Sequence, residues 1–422
     1  MGPKAPVWVH RMARLRRSST TASPIDPGAL KWRETAALGI GLAVALRVGL
    51  GLVMGAAWIA VRSRISAEQL PDPSIYGRLP MPGSPIGQSL LGVWPRWDAV
   101  QHLNLALRGY ADMGEGSTVF FPLYALLTRA VAVVAGDTIV AGLIVSTIAA
   151  AFAFTFLILI GEHLFGRDSG KWAAVALAAY PMAVFLMAPF TESLYLALTL
   201  GAFLAAYHMR WFAAAGLGAL ASFTRGPGMA ASVAFAVLAW RQRSSPAPGK
   251  GPPSLIGVAA AVLAPLVAAA VFLAWRSSAG FAPLPIVLEL YVNTTVVDPL
   301  TGAFLALRQW LEVHDIPTTL DILSAAGIVA VTTLMILRKR WRRPELLVYM
   351  LVNLVVLLGR HTEGAPSLKS LSRYVLVLFP AFLVVGDWLA STRRWIRFGY
   401  LALSSTLLLI LSSLYVFWWF IG

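Results

Sequence analysis

The chain has no cysteine and little charge: 13% of its 422 residues are charged, and only 19 are acidic. Without cysteine there are no disulfides, no thiolate metal sites and no cysteine nucleophile. The scarcity of charge goes with 58% hydrophobic residues and a mean hydropathy of +0.73, which excludes a soluble globule and implies a multi-span membrane protein. Also missing are a P-loop, a GxGxxG after a strand, an HExxH and a serine nucleophile elbow. Their absence disfavours ATP-driven, dinucleotide-dependent and hydrolytic chemistry. No long sequence repeat marks the two halves of a transporter.

What is present is a net charge of +15, from 34 Lys and Arg. In a soluble protein this would suggest nucleic acid. Here the basic residues fall in short clusters between apolar runs, which is the topology signal of a membrane protein, so no nucleic-acid partner is expected. Residues 1–35 carry Lys4, Arg11, Arg14, Arg16, Arg17, Lys31 and Arg33 and read as a basic cytoplasmic tail. The apolar run 36–60 is too long for a cleaved signal segment and reads as a first span. Arg47 interrupts it. An arginine at mid-membrane costs roughly 2.5–3.5 kcal/mol, so it should face protein or water.

Later apolar runs lie near 138–160, 172–190, 192–208, 211–225, 228–240, 254–275, 318–337, 345–360, 374–390 and 398–420. The clusters Arg241/Arg243/Lys250, Arg338 to Arg343 and Arg393/Arg394/Arg397 all fall inside only if the short run 119–135 does not cross. That predicts about eleven spans, between about nine and thirteen, with the amino terminus inside. It leaves residues 61–137 as a first outer loop containing two interfacial helices, and 276–317 as a second, in which Pro299–Glu312 reads as a further surface helix. The same assignment puts 13 of the 19 acidic residues on or near the outer face, all but Asp26, Glu34, Glu162, Asp168, Glu345 and Asp387. Acidic residues contribute little to topology, so the asymmetry needs another reason, and a reaction centre on that side is one.

The candidate residues each have a structural and a chemical reading. Asp98, followed three residues later by Gln101, satisfies a capping-box pattern, and a carboxylate at that position can also act as general base. His102, one turn on, shares its face, with Asp112 and His361 as conceivable third metal ligands. Glu192 follows Pro189 at a span start, where it is either a helix-start charge or an intramembrane site residue. Arg225, before a Gly-Pro-Gly turn, and Arg373 mark span ends, or hold a lipid phosphate through bidentate guanidinium contacts. Trp94, Trp97 and Tyr110 are belt aromatics or the lining of a sugar site.

In one order, RWDAVQHLNLALRGY, FFPLYALL, PFTESLYLAL, SFTRGPG and SRYVLVLFP, spread over about 94–380, resemble the GPI second-mannosyltransferase (PIG-V type) family and its bacterial relatives. The resemblance implies the GT-C type polytopic helical fold and an all-α integral membrane enzyme. Such an enzyme takes a sugar, expected to be mannose, from a polyprenyl-phosphate donor to a lipid, glycan or protein acceptor at the extracytoplasmic face of the cell membrane. It makes Asp98 the catalytic carboxylate, and Trp97, His102, Glu192, Arg225 and Arg373 substrate-binding residues. No cofactor is expected, with a divalent metal left open. The chain departs from the family at Gln101-His102-Leu103 and Ala125, changes that leave the carboxylate in place and bear on the acceptor. A transporter or flippase of a lipid-linked sugar is the competing class.

Overall fold

A computed structural model describes residues 32–62, 64, 72–245, 251–363, 366–419 and 421. Most of the predicted basic tail, together with Glu68 and Lys250, lies outside the described residues. The chain is an all-α membrane protein. Among the described residues, five helices are each long and apolar enough to cross a bilayer, and six if one bent pair is a single span. Single-turn segments aside, the helices are α1 (Trp32–Arg62), α2 (Asp98–Arg108), α3 (Pro122–Ala135), α4 (Thr138–Phe165), α5 (Arg167–Ala178), α6 (Glu192–Tyr207), α7 (Trp211–Thr224), α8 (Ala230–Ser244), α9 (Leu255–Ser278), α10 (Leu284–Val292), α11 (Pro299–Val313), α12 (Ile316–Leu337), α13 (Pro344–Leu358), α14 (Phe379–Ser391) and α15 (Arg394–Val416). A two-stranded antiparallel ladder pairs β1 (Thr294–Val296) with β2 (Arg360–Thr362).

The long helices are α1, α4, α9, α12 and α15. Helices α3, α6, α7 and α13 are apolar but shorter, and at 1.5 Å per residue none of them reaches the ~30 Å of a hydrocarbon core. Two expected runs are also broken. The run 172–190 is not one helix: α5 ends at Ala178, because Tyr180 precedes Pro181 and is pushed out of helical backbone, and only the single turn Val184–Met187 follows before Pro189. The run 374–390 bends by 76° between Leu371–Val377 and α14, at the point where Pro380 starts a new helix.

The helices approach closely through small residues. A Cβ on Gly161 would lie 2.5 Å from the Cα of Gly170, which joins α4 to α5, and a Cβ on Gly386 would lie 2.3 Å from the backbone nitrogen of Ala173, which joins α14 to α5. Arg47 does face protein. It donates to Thr147 Oγ1 at 2.9 Å, to the carbonyl oxygens of Leu143 (3.1 Å) and Met187, and stacks on Trp94, with its guanidinium carbon 4.5 Å from the ring centre. In the bilayer interior those acceptors stand in for water, so the residue bolts α1 to α4.

Candidate functional site

Helix α2 carries the site's first residue and is buried almost all round: Ala99, Val100, His102, Leu103, Asn104, Leu105 and Ala106 are all inside. Both of its ends are anchored. At the start, buried Arg96 donates to the carbonyls of Val416 (2.8 Å), Gly92 (2.7 Å) and Pro95 (2.8 Å), and Tyr415 donates to Trp94 O at 2.8 Å. The end of α15 thus holds the segment leading into α2. At the far end, Arg129 of α3 donates to Ala106 O at 2.6 Å and supplies the cation that a helix carboxyl end favours.

The capping reading of Asp98 is corrected by this geometry. The cap position belongs to Trp97, no side chain caps the helix, and the Asp98 carboxylate turns to Arg373 instead. Trp97 holds a left-handed backbone at φ 53°, a conformation that costs a bulky residue energy and persists because its surroundings enforce it. Its ring meets Trp418 edge-on at 5.5 Å. The strain sits immediately before Asp98 and fixes where that residue leaves the chain.

Four charged side chains, from segments far apart in sequence, form one chain of ion pairs. Asp98 Oδ2 accepts from Arg373 Nη1 at 2.9 Å, Glu192 Oε1 lies 3.0 Å from Arg373 Nε, and the same Oε1 accepts from Arg225 Nη1 at 2.6 Å. Their exposures differ sharply: the Glu192 side chain is 0% exposed, Arg373 6% and Arg225 12%, whereas Asp98 is 37% exposed. Oδ1 of Asp98 receives no hydrogen bond from the described residues. Glu192 is the first residue of α6, where the helix dipole also favours its charge. Arg225 leaves the end of α7 in extended backbone before the Gly226–Met229 turn. Arg373 sits in a single turn whose Ser372 N donates to Asp321 of α12 at 2.8 Å and whose Ser372 O accepts from Tyr180 at 3.0 Å.

His102 lies beside this chain in an aromatic box, edge-on to Phe120 (4.8 Å), Tyr124 (5.4 Å) and Phe190 (6.4 Å). Burial drives its imidazole down to a pKa of about 4 against the opposing pull of Asp98 and Glu192, so it is neutral at physiological pH. Burial pushes the Asp98 carboxyl up, but Arg373, His102 and Lys369 together outweigh it and leave the group below its ordinary value, hence ionised. Among the described residues no three His, Asp or Glu gather as a metal site. Of the conceivable ligands, His361 instead pairs its Nδ1 with Ser367 Oγ at 2.9 Å.

The six residues to which the resemblance assigns roles, Asp98, Trp97, His102, Glu192, Arg225 and Arg373, therefore lie in one region, whereas Tyr110 packs on Phe272 and Trp275. Sequence reasoning missed Tyr374 and Arg360. The Tyr374 ring centre lies 4.7 Å from the guanidinium carbon of Arg225, 4.7 Å from that of Arg360 and 5.0 Å from that of Arg373. Tyr374 stands next to Arg373 in the chain and could have been found on that ground. Arg360 carried no signal beyond marking a loop. Comparison with family models, curated proteins and solved structures finds no match for this chain.

Proposed function

We propose that the chain is a membrane glycosyltransferase of GT-C type, with about eleven spans and its amino terminus inside. It transfers a sugar, on family resemblance mannose, from a polyprenyl-phosphate donor to a lipid, glycan or protein acceptor on the extracytoplasmic face. The observation that carries this reading is the graded ion-pair chain: three of its four charges are shut inside, and the fourth, Asp98, is ionised and open with one oxygen unengaged. Such an arrangement suits a fixed general base better than a structural salt bridge, which would enclose both partners.

The acceptor hydroxyl attacks the anomeric carbon while Asp98 Oδ1 takes its proton. A new C–O bond forms on the face opposite the leaving oxygen, the bond to the phosphate oxygen breaks, and the sugar inverts. The electron pair stays on the departing polyprenyl phosphate, a good leaving group that needs no protonation. Glu192 is too deeply buried to touch substrate, and it holds Arg373 and Arg225 in place. A transport reading would draw on Arg47 and Glu192 as intramembrane charges; here Arg47 is engaged by three acceptors and Glu192 by two arginines.

The test is sugar transfer by purified protein supplied with polyprenyl-phosphate mannose. Asp98→Asn should lower turnover by about 10²–10⁴-fold. Wild-type rates in that variant would refute the assignment, and movement of donor across a vesicle bilayer without chemistry would identify a flippase.

A further inference from the structure

The arginines that the family resemblance offers as phosphate ligands are both engaged. Arg373 lies between Asp98 and Glu192, and Arg225 donates to Glu192. Resting on the transferase reading above, we propose that Arg360 is the residue that binds the phosphate of the polyprenyl donor, with Tyr374 as the platform that aligns it with the Asp98 chain.

Three observations support it. Arg360 shares the Tyr374 ring with Arg225 and Arg373, and each guanidinium carbon lies 5.0 Å or less from that one ring centre. Among the described residues no carboxylate forms an ion pair with Arg360. Its Nη2 donates to Lys369 O at 2.9 Å, and its Nε is buried with no acceptor. Asp321 is within electrostatic reach without pairing with Arg360; its Oδ1 accepts from Ser372 N, and its Oδ2 receives no hydrogen bond among the described residues. Around the ring, Arg225 and Arg373 are thus taken up by Glu192 and Asp98, and Arg360 is left with a buried N–H that no acceptor of the described residues engages. A phosphodiester oxygen is an acceptor that suits that N–H. When the sugar departs, the phosphate becomes a monoester and moves toward two charges, so a guanidinium there stabilises the transition state more than the bound donor.

The local fold fixes Arg360 in place. It pairs with Val296 across the β1–β2 ladder, and Ser367, just beyond β2, donates its backbone N–H to Gln309 of α11. Helix α11 lies so close that a Cβ on Gly302 would stand 1.9 Å from Leu358 O and 3.3 Å from Arg360 O. A ligand held on a rigid ladder loses little entropy on binding an anion.

The probe is decaprenyl monophosphate in detergent micelles, with decaprenol as the phosphate-free control, binding to full-length protein followed by intrinsic tryptophan fluorescence. Wild type should bind the phosphate and not the alcohol. Arg360→Ala should weaken phosphate binding by about 10–100-fold, with Arg360→Lys in between because it keeps the charge and loses the fork. Arg308→Ala, which breaks only an exposed pair with Glu312 in the same loop, should bind as wild type. If Arg360→Ala is not monodisperse, the lysine variant carries the comparison. Binding by Arg360→Ala or Arg360→Lys within about twofold of wild type overturns the assignment, and if Asp98→Asn still abolishes transfer the transferase reading survives it. Wild-type protein that binds neither probe, or both alike, overturns the phosphate site and removes the donor class as well.

Discussion

Glu192 is the residue whose loss the structure makes most costly, and the cost has a definite form. One oxygen, Oε1, serves two arginines at 2.6 and 3.0 Å, and all three side chains lie 12% exposed or less. At an effective dielectric of about 20, each attraction is about 5–6 kcal/mol before desolvation is subtracted. Glu192→Gln keeps the shape and an acceptor but deletes the charge, leaving Arg225 and Arg373 with Asp98 alone. The expected loss is about 3–5 kcal/mol, the usual cost of orphaning a buried charge. Arg225→Gln should cost a similar amount for the opposite reason, because within the four-residue chain it leaves two carboxylates sharing Arg373.

The double variant Glu192→Gln/Arg225→Gln restores neutrality, since Arg373 and Asp98 then balance each other. It should be more stable than the sum of the two single losses by about 1–3 kcal/mol. The assay is unfolding of the purified protein in mixed micelles of rising SDS fraction, with the four proteins compared as a cycle. Single losses that add to within about 0.5 kcal/mol would show that the two side chains do not share one electrostatic unit, and would refute the description of the site as a chain.

Three further outcomes follow from the same geometry. Asp98→Asn should unfold within about 1 kcal/mol of wild type in the SDS assay, because Asp98 is 37% exposed and Arg373 keeps Glu192 as its buried partner; a loss near that of Glu192→Gln would make Asp98 a structural residue. His102 has a folded pKa of about 4 against an ordinary 6.5, so the unfolded chain binds more protons in that window, and stability should fall as pH drops from about 6.5 to about 4 by on the order of 3 kcal/mol; acid unfolding of His102→Gln should lack that component, and an unchanged profile would contradict the buried neutral imidazole. Gly386→Leu drives a side chain into the backbone of Ala173 and should lower stability by more than the ~1–3 kcal/mol of ordinary overpacking, read as loss of monodisperse protein on size exclusion, where a wild-type profile would contradict the close crossing.

The site segments were legible because charge in so apolar a chain is conspicuous. Asp98 and Glu192 start helices three residues after Pro95 and Pro189, Arg225 precedes Gly226, and Arg373 stands in the short turn before α14, all points where hydropathy changes abruptly. Arg47 was legible for the same reason, and its protein-facing position follows from the cost of the alternative. The pairing pattern was not legible, since Arg373 and Asp98 are 275 residues apart and only tertiary packing brings them together. Arg360 was invisible because its importance lies in what does not pair with it. Continuous hydropathy also concealed the breaks at Pro181 and Leu378, where backbone sterics override an apolar run. The capping pattern at Asp98 misled because an aspartate three residues before a glutamine satisfies a local rule, while a buried guanidinium offers that carboxylate a stronger partner.

On the proposed transferase reading, the two carboxylates divide stability and chemistry between them. A base must be ionised, oriented and reachable, and these demands conflict when the only means of holding it is a salt bridge. Full enclosure would fix Asp98 but make it inaccessible, whereas full exposure would leave it mobile. Dividing the tasks resolves the conflict: Glu192, wholly buried, immobilises Arg373, and Arg373 then holds a single oxygen of the partly exposed Asp98 while the other receives no hydrogen bond from the described residues. The left-handed Trp97 fixes the same carboxylate from the backbone side, so its position is set twice, by independent means. Moving the acid group by one methylene should then impair transfer through geometry alone. Asp98→Glu keeps charge and basicity but cannot satisfy both constraints at once. Its turnover should fall by about 10²-fold, as expected when a catalytic group is displaced by ~1 Å, while polyprenyl-phosphate binding stays as in wild type. Full activity in Asp98→Glu would mean that the site tolerates a loosely held base, and the strain at Trp97 would then need another explanation.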